Sequence, residues 1–154
     1  MSAPRLDYAH ASPDGYKAFG GVYVYLQRCG LPKTLIDLVF LRVSQINGCA
    51  YCINMHTEDA RKHGETEQRL YLLNAWRESP LYSERERAAL AWTEALTTLP
   101  NGVSDEVYAE VSAEFSEQEL TYLTSAIASI NVWNRFGAAY RWTPPPRRQN
   151  AAAS

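Results

Sequence analysis

The sequence has no long apolar run: nowhere does it approach the roughly 18 residues that a membrane-spanning helix needs. It also lacks an excess of charge of either sign. Lys and Arg total 15 against 17 Asp and Glu, a formal charge of −2, so neither nucleic acid nor an anionic lipid surface is expected as a partner. The stretch from Met1 to His10 has no basic region followed by an apolar core and a small-residue cleavage site, which leads to the expectation of a cytoplasmic protein. Cysteine is scarce, and its count of 3 is odd. In a reducing compartment that argues against a structural disulfide framework and for cysteines that are reactive, metal-binding or simply buried.

Strand signals are missing too, because no segment alternates apolar and polar residues between turn pairs. No internal repeat and no linker divides the chain. With 154 residues and 46% hydrophobic content it can bury a core of its own as one domain.

Helix signals fill the sequence, and the fold class expected is all-α. Ser12-Pro13 has the cap-then-proline order of a helix start, and that helix should end at Cys29-Gly30. A second begins near Pro32 and carries Leu35, Leu38, Val39, Val43 and Ile46 at spacings of three and four until Asn47-Gly48. The third opens with a cysteine pair and leaves through His63-Gly64. Thr66 can cap a fourth, through Leu70, Leu73 and Trp76, which Ser79-Pro80 should stop. Ser83-Glu84-Arg85-Glu86 and Ser116-Glu117-Gln118-Glu119 both have capping-box form. The second box opens the longest helix, to about Tyr140, whose apolar side is wide enough for the middle of a bundle or a subunit interface. A short helix from Ser104 lies between them. From Thr143 the chain has too few large apolar groups to pack, so the domain is expected to span 1–142 and a flexible tail 143–154.

The chemistry is concentrated in Cys49-x-x-Cys52-x-x-x-His56. On one helix these three side chains project to the same side, and a helix N-terminus, a partner thiol and an imidazole each favour a reactive thiolate. Such a thiolate attacks peroxide or a disulfide, and a second thiol one turn away can close a disulfide that a reductant resets. Asp37, twelve residues before Cys49, comes into play if Asn47-Gly48 turns the corner of a helical hairpin. It would then face His56 and complete a relay from Asp37 through His56 to Cys52 and Cys49. Position near the helix start favours Cys49 as the attacking sulfur, whereas the i,i+4 relation to His56 favours Cys52.

The stretch from Leu41 to Thr57, LRVSQINGCAYCINMHT, resembles the alkylhydroperoxidase D-like branch of the carboxymuconolactone decarboxylase family. The resemblance continues through the segment Ser83–Ala95 and Ile130-Asn131-Val132-Trp133-Asn134-Arg135, and covers the chain from about Gly15 to Trp142. It implies an AhpD-like helical bundle, a homo-oligomer of trimers or hexamers, and a peroxidase or disulfide reductase that uses the cysteine pair without metal or cofactor. The implied partners are a hydroperoxide substrate and a cellular dithiol or disulfide reductase as electron donor. The family pattern places glutamate twelve residues before the first cysteine, where Asp37 stands, and its Cys-x-x-Cys and histidine match Cys49, Cys52 and His56. Its base beside the second cysteine implies Cys52 as attacking and Cys49 as resolving thiol. A further histidine between the cysteines in the founding branch is Tyr51 here.

Rival readings remain open from sequence. A zinc site would need a fourth ligand and a second metal-like pair, which the sequence does not offer. The pair could also be two buried small residues. At the level of function, a redox-controlled interaction protein with little peroxide turnover and a decarboxylase-like activity are the alternatives. Cys29 reads as a packed residue, His63 as a charge at a helix C-terminus, His10 as a loop residue, and Tyr23, Tyr25, Trp92 and Trp133 as core or interface aromatics.

Overall fold

The computed structural model describes residues 3–144, and every regular element among them is helical. Eight α-helices follow in order: α1 (Tyr8–Ala11), α2 (Pro13–Leu26), α3 (Lys33–Asn47), α4 (Ala50–Lys62), α5 (Glu67–Leu72), α6 (Glu84–Thr97), α7 (Asp105–Glu114) and α8 (Glu117–Ala139). The expected tail from Pro145 onward lies outside the described residues. Among those residues no helix is long and apolar enough to cross a membrane.

Local chemistry sets most boundaries. Ser83 and Ser116 each accept a hydrogen bond from the backbone N–H three residues on, while Glu86 and Glu119 reach back, so both capping boxes form. Thr66 and Ser104 cap α5 and α7 in the same way with their hydroxyls. The fourth expected helix is broken. After Leu72 it tightens into a 3-10 turn, Leu73–Glu78, with Ala75 out of helical conformation. The short helix α1 was not legible from periodicity, since a single turn is too brief to show any; His10 sits in it, exposed, rather than in a loop.

The middle of the bundle is shared by α3 and α8, which pack against each other; α8 also touches α2, α4, α6 and α7, as its broad apolar side led one to expect. The helix α3 is buried on more of its circumference. Its buried residues include Leu35, Ile36, Leu38, Val39, Phe40, Leu41 and Val43, which cover both sides of the helix. One side, with Ile36, Val39 and Val43, packs into a core shared with Ala89 and Trp92 of α6, Val111 of α7 and Leu123, Ile127 and Ile130 of α8. The other side, with Leu38 and Leu41, meets Ala60, Leu70, Leu73, Trp76 and Leu90. Each fully buried leucine of this kind contributes roughly 1.5–3 kcal/mol.

The two ends of the described chain meet. Arg5 donates its backbone N–H to the Tyr140 carbonyl (2.9 Å) and Nη1 to that of Ala139 (3.1 Å), satisfying acceptors that the end of α8 leaves open. Beside them Tyr8 stacks on Trp142 (centroids 4.4 Å) and Phe136 (4.8 Å). By contrast α2 buries only Leu26 and leaves Phe19, Val22, Val24 and Tyr25 exposed.

Candidate active site

The site is made by a corner. Gly48 takes φ +65°, a left-handed conformation that side chains disfavour, and lets α3 stop with Cys49 N–H bonded to the Ser44 carbonyl (3.1 Å) and Gly48 N–H to that of Gln45 (3.2 Å). Cys49 thereby becomes the N-cap of α4, its sulfur accepting the N–H of Cys52 (3.4 Å). Behind the corner, Asn47 Nδ2 donates to Asn131 Oδ1 (2.9 Å) and Asn134 Oδ1 (3.0 Å), and Asn134 Nδ2 donates to Ser44 Oγ (3.1 Å). This amide network, part-buried at Asn47 and buried at Asn134, ties the hairpin to α8.

Cys49 and Cys52 are joined as a disulfide, with Cα atoms 5.4 Å apart, a separation such a bond spans readily. Both are buried, but their surroundings differ. Cys49 packs against Gly137 of α8, where a Cβ would lie only 2.9 Å from its Sγ. Cys52 instead lines a cavity of about 320 Å³ together with His56, one helical turn further on.

Aromatic rings form most of that cavity's wall. Tyr8 and Trp142 come from the clasped ends, Tyr16 and Tyr23 from α2, Phe40 from α3, Tyr51 from α4 and Trp133 from α8. Tyr23 and Trp133, read from sequence as packing residues, therefore belong to the cavity, while Trp92 is buried in the core with Nε1 donating to Thr124 Oγ1 (3.0 Å). Tyr16, Tyr23 and Met55 are among the exposed large side chains, so the cavity reaches the surface past them. Its one charged lining residue is Asp59, whose carboxylate also pairs with Lys62 Nζ (2.8 Å).

His56 is 3% exposed, with its ring 5.0 Å from that of Phe40 and its Nε2 buried without a hydrogen-bond partner. Burial pushes its pKa down to about 4, with the Asp59 charge acting the other way, so the imidazole is neutral at pH 7. Burial also raises the phenols of Tyr8 and Tyr23, which stay protonated.

Asp37 does not pair with His56 as counting residues suggested. Its Oδ2 lies 2.5 Å from Nδ1 of His63, a half-exposed side chain that sequence reading took for a helix-end charge. From the Gly48 corner Asp37 is about 16 Å along α3, between His56 at about 12 Å and His63 at about 22 Å along α4. Helical side chains lean toward their own N-terminus, so Asp37 tilts away from the corner and His63 toward it, and the two converge. Toward His56 they would diverge. Burial raises the Asp37 pKa and the His63 hydrogen bond opposes it.

Sequence reading missed Asp59, although its position three after His56 and seven after Cys52 puts it on the same helix stripe. It missed Gly137 as well; a glycine inside an otherwise good helix was the available signal. Among the described residues no group of three or more His, Cys, Asp or Glu side chains is arranged to hold a metal ion.

A bundle of this form with a cysteine pair at a helical corner is the AhpD-like arrangement, and the chain belongs to the carboxymuconolactone decarboxylase family, whose sequence pattern matches residues 11–95. The uncharacterized protein YdfG of Bacillus subtilis is 43% identical over 136 residues, 88% of this chain and 92% of its own. The crystal structure of ATU0492 from Agrobacterium tumefaciens, a protein of unknown function ascribed to AhpD antioxidant defence, superimposes with a TM-score of 0.91 at 41% identity. It covers 94% of this chain and 99% of that one. The debrominase Bmp8 is similar at TM-score 0.81 and 26% identity, covering 88% of this chain and 74% of its own.

Proposed function

We propose that the protein is a thiol peroxidase of antioxidant type, in which Cys52 attacks a hydroperoxide and Cys49 resolves the product. The observation that carries this reading is a disulfide-forming pair of which one sulfur faces a cavity beside a neutral, unpartnered imidazole. As Cys52 attacks the distal peroxide oxygen its proton passes to His56 Nε2, and the imidazole, made a weak base by burial, hands it on to the leaving oxygen: the O–O bond breaks, an S–O bond forms, and the alcohol departs. Cys49 next attacks the Cys52 sulfenic acid, forming the S–S bond and expelling hydroxide, which leaves as water. Two electrons pass from the two sulfurs to the peroxide, and both thiol protons end in the alcohol and the water. A cellular dithiol, or a reductase presenting one, returns two electrons and two protons.

The N-terminus of α4 favours the thiolate at either cysteine. What favours Cys52 as the attacker is its place on the cavity wall, while Cys49 lies behind it against Gly137. Asp37, paired with His63 and outside the cavity lining, takes no step in this scheme. A homo-oligomer is part of the same proposal and is supported by the exposed apolar side chains of α2.

Mass spectrometry of the reduced protein after a small dose of hydroperoxide tests the reading. The wild type should lose two hydrogens and regain them with added dithiol, while Cys49→Ser should stop at a sulfenic acid on Cys52. Unchanged peroxide consumption by Cys52→Ser would refute the scheme.

A second reading is reductive removal of a halogen from an aromatic ring. It is favoured by the likeness to Bmp8, which has been crystallised as a cysteine-to-alanine variant with 2,3,4-tribromopyrrole, and by the ring-lined cavity here. It uses the same two sulfurs as electron donors: carbon–bromine becomes carbon–hydrogen, bromide leaves, and the disulfide forms. Bromide release from a brominated pyrrole by the reduced protein would select it over peroxide turnover.

A further inference from the structure

The cavity beside Cys52 is chemically one-sided. Seven aromatic rings line it, Met55 and Ile130 add apolar surface, and no Lys or Arg reaches its wall. Sites of about 300 Å³ are at the small end for organic ligands, so this one suits a single-ring molecule better than a long chain. Its polar equipment is also specific. His56 lines it, and its buried Nε2 has no protein partner and can accept one hydrogen bond or donate one according to its tautomer. Asp59, a part-exposed lining residue, adds a carboxylate that is only partly offset by its exposed partner Lys62. Rings attract rings through offset and edge-to-face contacts, whereas a carboxylate entering this cavity would lose its water, meet no cation, and approach Asp59.

We propose that the cavity is the binding site for a neutral, single-ring aromatic hydroperoxide and for its alcohol product. The ring lies among Tyr16, Tyr51, Trp133 and Trp142, and the oxygen-bearing group is hydrogen-bonded to His56 Nε2 beside the Cys52 sulfur. This rests on the peroxidase reading for the hydroperoxide, though the ring-binding part stands without it. Hydrogen peroxide would find few polar contacts here, and hydroperoxides of fatty acids are disfavoured by their length and their carboxylate. Asp59 becomes a specificity residue that rejects anions.

Gly20 of α2 supplies a variant that adds bulk at the cavity wall without a clash. It lines the cavity, and a Cβ built there meets no atom within 4 Å, so there is room for a larger side chain. A helix-interior glycine is in any case a poor helix former, and Gly20→Leu should leave the helix at least as stable.

The test separates binding from turnover. Binding of 2-phenyl-2-propanol, an unreactive ring-bearing alcohol, is measured on the oxidised wild-type protein by tryptophan fluorescence and by calorimetry. tert-Butanol and the 4-carboxylate derivative of the same alcohol serve as comparisons. The ring-bearing alcohol should bind at least tenfold more tightly than tert-butanol, and the carboxylate at least tenfold more weakly than the neutral ring. Gly20→Leu should cost tenfold or more in ring binding, and Asp59→Asn should narrow the penalty on the carboxylate severalfold. Equal affinity for the ring and for tert-butanol, or ring binding untouched by Gly20→Leu, would overturn the proposal. Turnover of cumene hydroperoxide and hydrogen peroxide by the reduced protein then tells the two readings apart. Ring binding without peroxide turnover would refute the peroxidase reading and uphold the ring site, and turnover with no preference for the ring would do the reverse.

Discussion

Gly137 offers the most direct handle on the disulfide. It lies in α8, a helix of 23 residues, at the point where the helix touches the cysteine pair. An alanine Cβ there would stand 2.9 Å from Cys49 Sγ and 3.7 Å from Cys52 Sγ, and the nearer distance is below any ordinary carbon–sulfur contact. In the oxidised protein that sulfur is tied to its partner and cannot swing away. Overpacking of this kind costs about 1–3 kcal/mol, while replacing a helical glycine by alanine returns about 1 kcal/mol. In the dithiol protein Cys49 is free to change rotamer, so the helical gain survives and the clash is relieved. Gly137→Ala therefore destabilises the disulfide state relative to the dithiol state by about 1–3 kcal/mol, which for a two-electron couple is about 20–60 mV toward a more oxidising potential. Equilibration in glutathione buffers of graded ratio, followed by thiol alkylation and mass spectrometry, measures the midpoint. Thermal unfolding of both forms gives the stability difference independently. An unchanged or more negative potential would refute the packing argument, since the methyl group would then have been absorbed without pressing on the sulfur.

Three other outcomes follow from the same geometry. His56 titrates near 4 in the folded protein and near 6.5 when unfolded, so stability is fully present above pH 6.5 and falls as the pH drops toward 4, by about 3 kcal/mol in all. Urea titrations at several pH values should show this slope in the wild type and a smaller one in His56→Gln. A double-mutant cycle on Asp37→Asn and His63→Gln should return a coupling of about 1 kcal/mol, whereas Asp37→Asn with His56→Gln should be additive within about 0.5 kcal/mol. Coupling of Asp37 to His56 instead would restore the relay inferred by counting. Asn134→Ala removes one partner each from the part-buried Asn47 Nδ2, which keeps Asn131, and the buried Ser44 Oγ, which keeps the Phe40 carbonyl, and should lower unfolding free energy by about 1–2 kcal/mol in denaturant titration. A loss under about 0.5 kcal/mol would mean that water replaces the amide.

The helices and the cysteine–histidine cluster were legible because both are local. Capping boxes, the Asn47-Gly48 corner and the three-and-four spacing of Cys49, Cys52 and His56 are written within a few residues of one another. The partner of Asp37 was not, because residue counting gives axial level but not the lean of a side chain, and that lean selects His63. The cavity wall was out of reach for a different reason. Tyr8, Phe40, Trp133 and Trp142 are brought together only by tertiary packing, and nothing in the sequence near any one of them announces the others. The broad apolar side of α8 did announce a place at the middle of the bundle, which it shares with α3, a helix buried over more of its surface than its three-and-four spacing alone suggested.

The clasp between Arg5, Tyr8 and the end of α8 makes one wall of the cavity depend on residues that are far apart along the chain. Tyr8 and Trp142 stack there, whereas Cys49, Cys52 and His56 lie close together in sequence around a single helical corner. A version trimmed to begin at Ser12 would keep the cysteine pair while losing one side of the chamber beside it.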